Sequence, residues 1–205
     1  MSKIKAVILL GSLKTGSEDS NTLLLSQFLV KQFSSFESEC EIIKLADYDI
    51  KPGTYTIIDS GDDWPSILGK MLAADIVIFA TPVWWGIQSS LIQRTIERLD
   101  ELHDEIMDSG RSRLTNKVSG IIVTGDSDGA EHIIGNLTNF FVALGLTIPP
   151  FGTLTVLWPG FAKKSDKSEY EKLKYLEDNY ASTAKKAAEN LVFMANLLKK
   201  NPYPE

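Results

Sequence analysis

The sequence predicts a doubly wound α/β domain, with a five-stranded parallel sheet covered by helices on both faces. Three observations lead there. Short β-leaning apolar segments recur along the chain. Each is followed by a stretch with apolar residues at helical spacing. The strand segments are apolar on both faces, which an antiparallel sheet with one wet side does not require. The 205 residues, with 43% apolar and 23% charged residues, suit one globular domain with a substantial core.

The elements follow in order. Ile4–Leu10 is a continuous apolar strand, and Thr22–Phe33 carries helical spacing. Glu41–Leu45 reads as a short strand. Asp47–Asp63, with Pro52, Gly53 and Gly61, is an irregular surface excursion rather than a linker. Trp64–Ala74 is helical and Asp75–Ala80 a buried strand. Ser89–Met107 reads as one amphipathic helix, with Ile92, Ile96, Leu99, Leu102 or His103, and Ile106 on one face. Lys117–Thr124 is a strand, Ala130–Leu144 a helix and Thr153–Leu157 a last strand. From Ser168 to Lys200 apolar residues recur every three or four positions. A helix of that length spans roughly 45 Å at ~1.5 Å per residue, so it either breaks or rests its end on a partner subunit.

Composition excludes several classes. A net charge of −6 and a pI near 5.0 argue against nucleic-acid binding. No basic block offers an anionic membrane a landing site. The single cysteine, Cys40, allows no intrachain disulfide and no cysteine-based zinc or iron–sulfur site, and reads as a small packing residue. The apolar run Ala6–Leu10 is too short for a signal sequence or a membrane span, so a cytoplasmic protein is expected.

In an open parallel sheet ligands bind beyond the carboxyl ends of the strands, where strand order switches. Three loops meet that description: residues 11–22, 81–90 and 124–132. The first, GSLKTGSEDSNT, combines glycines, hydroxyls and Lys14 with the cap-type residues Ser20, Asn21 and Thr22 at a helix start. Backbone N–H groups and the helix dipole complete a phosphate site. It begins like a Walker A motif, but Ser17 and Glu18 stand where lysine and a hydroxyl are required. No G-x-G-x-x-G is present, so an ATPase or a nicotinamide-fold dehydrogenase loses support. In the second loop, Trp84 and Trp85 sit between Pro82 and Gly86, suited to a flat conjugated ligand or a neighbouring subunit.

The third loop contains Gly125-Asp126-Ser127-Asp128-Gly129, which fits the nucleophile elbow G-x-S-x-G with correct strand and helix flanks. That motif needs a histidine base. The chain has only His103, before the serine, and His132, five residues after it. Neither stands where the elbow's base belongs, so a Ser-His-Asp hydrolase is set aside. Asp126, Asp128 and Glu131 read as turn and helix-start residues before they read as metal ligands.

Together these loops resemble the flavodoxin-like NADPH-dependent FMN reductase family. Gly11-Ser12-x-Lys14 with Ser20-Asn21-Thr22 resembles its phosphate loop. Thr81-Pro82-Val83-Trp84-Trp85-Gly86, leading to Arg94-x-x-Glu97-Arg98-Leu99, resembles its second loop and helix. Thr124-Gly125-Asp126-x-Asp128-Gly129 resembles its glycine-rich loop beside the flavin. The match covers about residues 3–157. The resemblance implies a three-layer sandwich with strand order 2-1-3-4-5, all within one FMN-binding domain, residues 1–205. It implies that Ser12, Lys14, Asn21 and Thr22 hold the FMN phosphate, with Ser17 and Ser20 competing for one further role. Pro82, Val83, Trp84, Trp85 and Gly86 would line one side of the isoalloxazine, and Thr124, Gly125, Asp126 and Gly129 the other. The implied activity is hydride transfer from NADPH or NADH through FMN to a small acceptor such as a quinone or flavin, with no catalytic side chain and no metal. A homodimer or homotetramer is the implied assembly. A flavodoxin-type electron carrier, or a non-catalytic FMN-binding protein, is the alternative.

Overall fold

A computed structural model describes residues 3–125, 128–158 and 167–204. Its five parallel strands are β1 (Ile4–Leu10), β2 (Ser38–Lys44), β3 (Ile76–Pro82), β4 (Val118–Gly125) and β5 (Thr153–Leu157), in the order β2-β1-β3-β4-β5. The helices are α1 (Asn21–Phe33), α2 (Trp64–Ala73), α3 (Ser90–Arg98), α4 (Glu101–Ser109), α5 (Ala130–Ala143) and α6 (Glu169–Lys200). The expected fold class and strand order are therefore present. β1 and β5 have the expected bounds, and the other strands lie within three residues of theirs.

Alternation along β1 divides the core in two. Ile4, Ala6, Ile8 and Leu10 face α1 and α6, joined by Phe28, Leu29, Ala187 and Leu191. Val7 and Leu9 face the opposite layer, with Trp64, Phe79, Ile92, Ile133 and Phe141. Strands buried on both faces favour β-branched and aliphatic residues throughout, which is why they read as continuous apolar runs. Cys40 packs at the edge of the first cluster, and burial pushes its thiol up to about 12. It is a packing residue, not a reactive one.

Two expectations about helices change. The single helix over Ser89–Met107 is two, broken at Leu99–Asp100. The cause is the excursion between β2 and α2. Its ends are tied by Asp63 N–H donating to Asp49 O (3.0 Å) and Asp49 N–H donating to Asp63 Oδ2 (2.8 Å). Its middle lies on the α3–α4 junction, where Thr54 O accepts the N–H of Glu101. That N–H is thereby diverted from the helical ladder. The loop is filled by Arg98, which is fully buried. Its guanidinium donates to the carbonyls of Lys51, Tyr55 and Thr56, and pairs with the equally buried Asp62 at 2.6 Å.

The last helix does not break. α6 runs 32 residues, roughly 48 Å. Small residues Ala184, Ala187, Ala188 and Ala195 let its carboxyl half lie close to the sheet and α1. Lys199 fixes that end to Asp75, at 2.9 and 3.0 Å. Its amino end starts from a complete capping box between Ser168 and Glu171. No helix among the described residues is long and apolar enough to cross a membrane.

Candidate functional site

The sheet order places the turns after β1 and β3 on opposite sides of the switch point, and the three candidate loops converge there. Gly11 N–H donates to Ala80 O (2.8 Å), joining the ends of β1 and β3. Val83 N–H donates to Thr124 O (2.7 Å), joining the second and third loops. The buried hydroxyls of Thr22 and Thr124 are 2.7 Å apart, joining the first and third.

In the first loop, Ser20 caps α1 by accepting the N–H of Leu23 (3.2 Å), and its hydroxyl donates to Ser12 Oγ (2.9 Å). Ser12 is buried, and Lys14 lies over the loop with its ammonium on the carbonyl of Asp19. No acidic residue occupies the first turn of α1. Hydroxyls, an ammonium and a helix N-terminus with no carboxylate of its own form a donor set that fits a phosphate. Ser17 is exposed on the outer part of the loop, where Gly16 N–H is held by Asp47 (2.9 Å). Asn21 begins α1 and its side-chain oxygen accepts the ammonium of Lys172 (3.0 Å).

The second loop is a tight hairpin. Trp84 and Ile87 exchange backbone hydrogen bonds of 2.9 and 3.1 Å, and the two central residues both have positive φ, Trp85 at 52° and Gly86 at 81°. That pattern suits a type I′ turn, in which a tryptophan is unusual. Trp85 is fully exposed, whereas Trp84 is half-buried. The loop's exit is set by Thr81, buried at the end of β3, whose hydroxyl accepts the N–H of Ser89 (2.9 Å). Ser89 in turn caps α3.

The third loop meets the hairpin backbone to backbone. Gly129 has φ 122°, and a Cβ there would lie 2.5 Å from Gly86 Cα. A Cβ on Gly125 would lie 2.9 Å from Val83 Cγ2. Both glycines are needed because the loops touch. Asp126 and Ser127 lie outside the described residues. His132 is exposed on α5.

Of the predicted site residues, the structure thus brings together Ser12, Lys14, Ser20, Asn21 and Thr22, then Pro82 to Gly86, with Thr124, Gly125 and Gly129. Two contributors were not singled out. Trp158, buried just after β5, donates its backbone N–H to Gly125 O (2.7 Å) and so braces the third loop. Lys172 enters from α6. Chain alternation carries the signal for it: a helix following the last parallel strand must start at the carboxyl edge.

A cavity of about 530 Å³ lies away from these loops, lined by Glu105, Arg113 and Asn116 at the amino end of β4. Its lining carries hydroxyls and two arginines, but it lies at the amino edge of the sheet, opposite the strand ends where an open parallel sheet binds ligands.

Comparison with known proteins gives four findings. The sequence pattern of the family described as NADPH-dependent FMN reductase matches residues 4–157. An 8-demethyl-8-aminoriboflavin-5′-phosphate synthase of Streptomyces davaonensis is 26% identical over 216 aligned positions, covering 98% of this chain and 80% of that one. The crystal structure of RosB with the bound intermediate 8-demethyl-8-formylriboflavin-5′-phosphate superposes with a TM-score of 0.82 at 26% identity, over 98% of this chain and 82% of that one. An FMN-dependent NADPH-azoreductase of Staphylococcus aureus is 24% identical over 172 positions, covering 82% of this chain and 84% of its own.

Proposed function

The chain belongs to the NADPH-dependent FMN reductase family, as an FMN-dependent oxidoreductase using NAD(P)H, and from that premise we propose how its residues divide the work. One domain, residues 1–205, holds the flavin at the carboxyl edge of the sheet. The flavin phosphate sits at the amino end of α1, bound by Ser12, Ser20, Thr22 and Lys14. Ser20 takes the role for which Ser17 also qualified by sequence, because Ser20 is the hydroxyl beside Ser12. The isoalloxazine lies between the Pro82–Gly86 hairpin and the Thr124–Gly129 loop. The observation that carries this reading is the meeting of all three loops, with the Gly86–Gly129 backbone contact beside a phosphate-type donor set.

Bound FMN would supply the hydride chemistry, accepting from NADPH or NADH and passing reducing equivalents to a small acceptor. The chain's own part is to bind and orient. The helix dipole and hydroxyls fix the phosphate end. Backbone of the glycine loop approaches the ring where a side chain would hold it away. Trp85, fully exposed at the hairpin tip, offers a face to the nicotinamide, the acceptor or a second subunit. The assembly is a cytoplasmic homodimer or homotetramer.

A second reading rests on the reach of the Streptomyces relative. Its similarity spans 98% of the chain, well beyond residue 157 where the family pattern ends. That enzyme's name makes a flavin phosphate its product. By analogy, the site here takes flavin phosphate as substrate and alters its position 8.

One sequence of measurements separates the readings. The purified protein is examined for a flavin spectrum, then titrated anaerobically with NADPH and NADH. Bleaching supports the reductase. A flavin-bound protein that neither reductant bleaches favours the electron carrier. A protein that neither contains nor binds FMN overturns the reading. A changed mass of the extracted flavin, after incubation in air with an amine donor, favours the flavin-modifying activity.

A further inference from the structure

We propose that Lys172, on α6, is a second cationic ligand of the flavin 5′-phosphate, carried in from outside residues 4–157, which the family pattern matches. The proposal rests on the flavin reading above. A phosphate monoester carries about −1.5 to −2 charge at pH 7. The loop around it offers one ammonium, Lys14, and places Glu18 and Asp19 nearby in sequence. A single lysine does not balance that charge.

Among the described residues, the other cations near this edge are committed. Lys44 donates to Gly16 O and lies 4.0 Å from Asp47, at the outer end of the loop. Arg94 and Arg98 are turned away into the excursion between β2 and α2. Lys172 differs from all three. Its Nζ is 3.0 Å from Asn21 Oδ1, on the first residue of α1, where a helix-bound phosphate sits. Among the described residues it has no carboxylate within ion-pair distance, whereas Lys167, Lys186 and Lys199 of the same segment each pair with one. A half-buried ammonium held against a neutral amide, one residue from the N-cap of α1, is placed to take a stronger acceptor.

The position of Lys172 is itself determined. The capping box at Ser168 fixes the first turn of α6, and Leu176 anchors the next to the core. Eight residues, just over two turns, separate Ser168 from Leu176, and Lys172 falls midway between them, facing α1. Flavin phosphate would therefore tie the amino end of α6 to the first loop, linking the last helix of the chain to cofactor loading.

The test compares FMN with riboflavin, which lacks the phosphate, by quenching of flavin fluorescence on the apoprotein. In Lys172→Met, FMN affinity should fall about tenfold, the usual size of one charge-assisted hydrogen bond. Riboflavin affinity should not change, and Lys172→Arg should retain most FMN binding. The melting temperature of the apoprotein should stay within about 5 °C of the parent, since only one part-buried hydrogen bond is lost. An equal loss for FMN and riboflavin would show that Lys172 acts only through the packing of α6, and would overturn the proposal. Unchanged FMN affinity would overturn it as well. Failure of the unsubstituted protein to bind FMN would instead sink the flavin reading on which it stands.

Discussion

Gly129 carries the contact on which the site's shape depends. Any side chain there meets Gly86 backbone at 2.5 Å while forced into φ 122°, a conformation that L residues rarely adopt. Gly129→Ala should cost about 1–3 kcal/mol of stability and part the two loops. Chemical denaturation and FMN titration check both effects, and a variant that keeps parental FMN affinity would show that the loop contact does not shape the site. Arg98 is a different case, a charge buried under the excursion between β2 and α2. Burial alone would raise the Asp62 carboxyl. Arg98 and the N–H groups of Lys51 and Trp64 outweigh it and hold the carboxyl below its ordinary value. A depressed carboxyl pKa stabilises the fold at pH values above the unfolded pKa, and that contribution is lost as pH falls through the folded one. Arg98→Met strands Asp62 and three carbonyls, so it should cost about 3–5 kcal/mol at neutral pH. The penalty should shrink in acid as Asp62 protonates, which urea unfolding at pH 7 and pH 4 would register. Sequence placed Arg98 in a motif with Arg94 and Glu97 but could not reveal its role. Its acceptors are mostly main-chain carbonyls, and backbone oxygens carry no residue identity.

At the scale of elements, the Trp84–Ile87 hairpin separates stability from function. Trp85 is fully exposed among the described residues and occupies a positive-φ position. Glycine there relieves roughly 1 kcal/mol of backbone strain and adds back about as much unfolded-state entropy. Trp85→Gly should therefore melt within a few degrees of the parent, yet lose about tenfold in NAD(P)H-dependent turnover if the indole orients a bound ring. A parental turnover would assign Trp85 to some other contact. Most elements were legible because burial imposes a period: strands flanked on both sides, helices with one apolar stripe. The break in the third helix was not. Ile92, Ile96, Leu99, Leu102 and Ile106 keep one helical phase across it. Periodicity reports which face is apolar, and it is blind to a single N–H, that of Glu101, taken by Thr54 O from a loop some 47 residues earlier. The long last helix posed the converse question. Its apolar spacing could not say whether it breaks, while its alanines, small enough for close approach, let it continue unbroken along the sheet.

Considered whole, the molecule has its site on loops borrowed from every layer. The first loop opens α1 on one face; the hairpin and glycine loop open α3 and α5 on the other; Lys172 arrives from α6 beside α1. Only the native arrangement assembles these groups, so FMN should bind the folded state alone and stabilise all of it by linkage. At a free FMN concentration one hundred times its Kd, the gain is about 2.7 kcal/mol. For a domain of this length that raises the melting temperature by roughly 5–10 °C. Two buried tryptophans make the cooperativity visible, because Trp64 belongs to the cluster on one face of the sheet and Trp158 to the other. If residues 1–205 unfold as one domain, tryptophan fluorescence and far-ultraviolet circular dichroism should report a single transition, and FMN should shift both signals together. A helical signal that melts early and ignores FMN would place α6 outside the cooperative unit. The link drawn through Lys172, between the last helix and the flavin phosphate, would then have no mechanical basis.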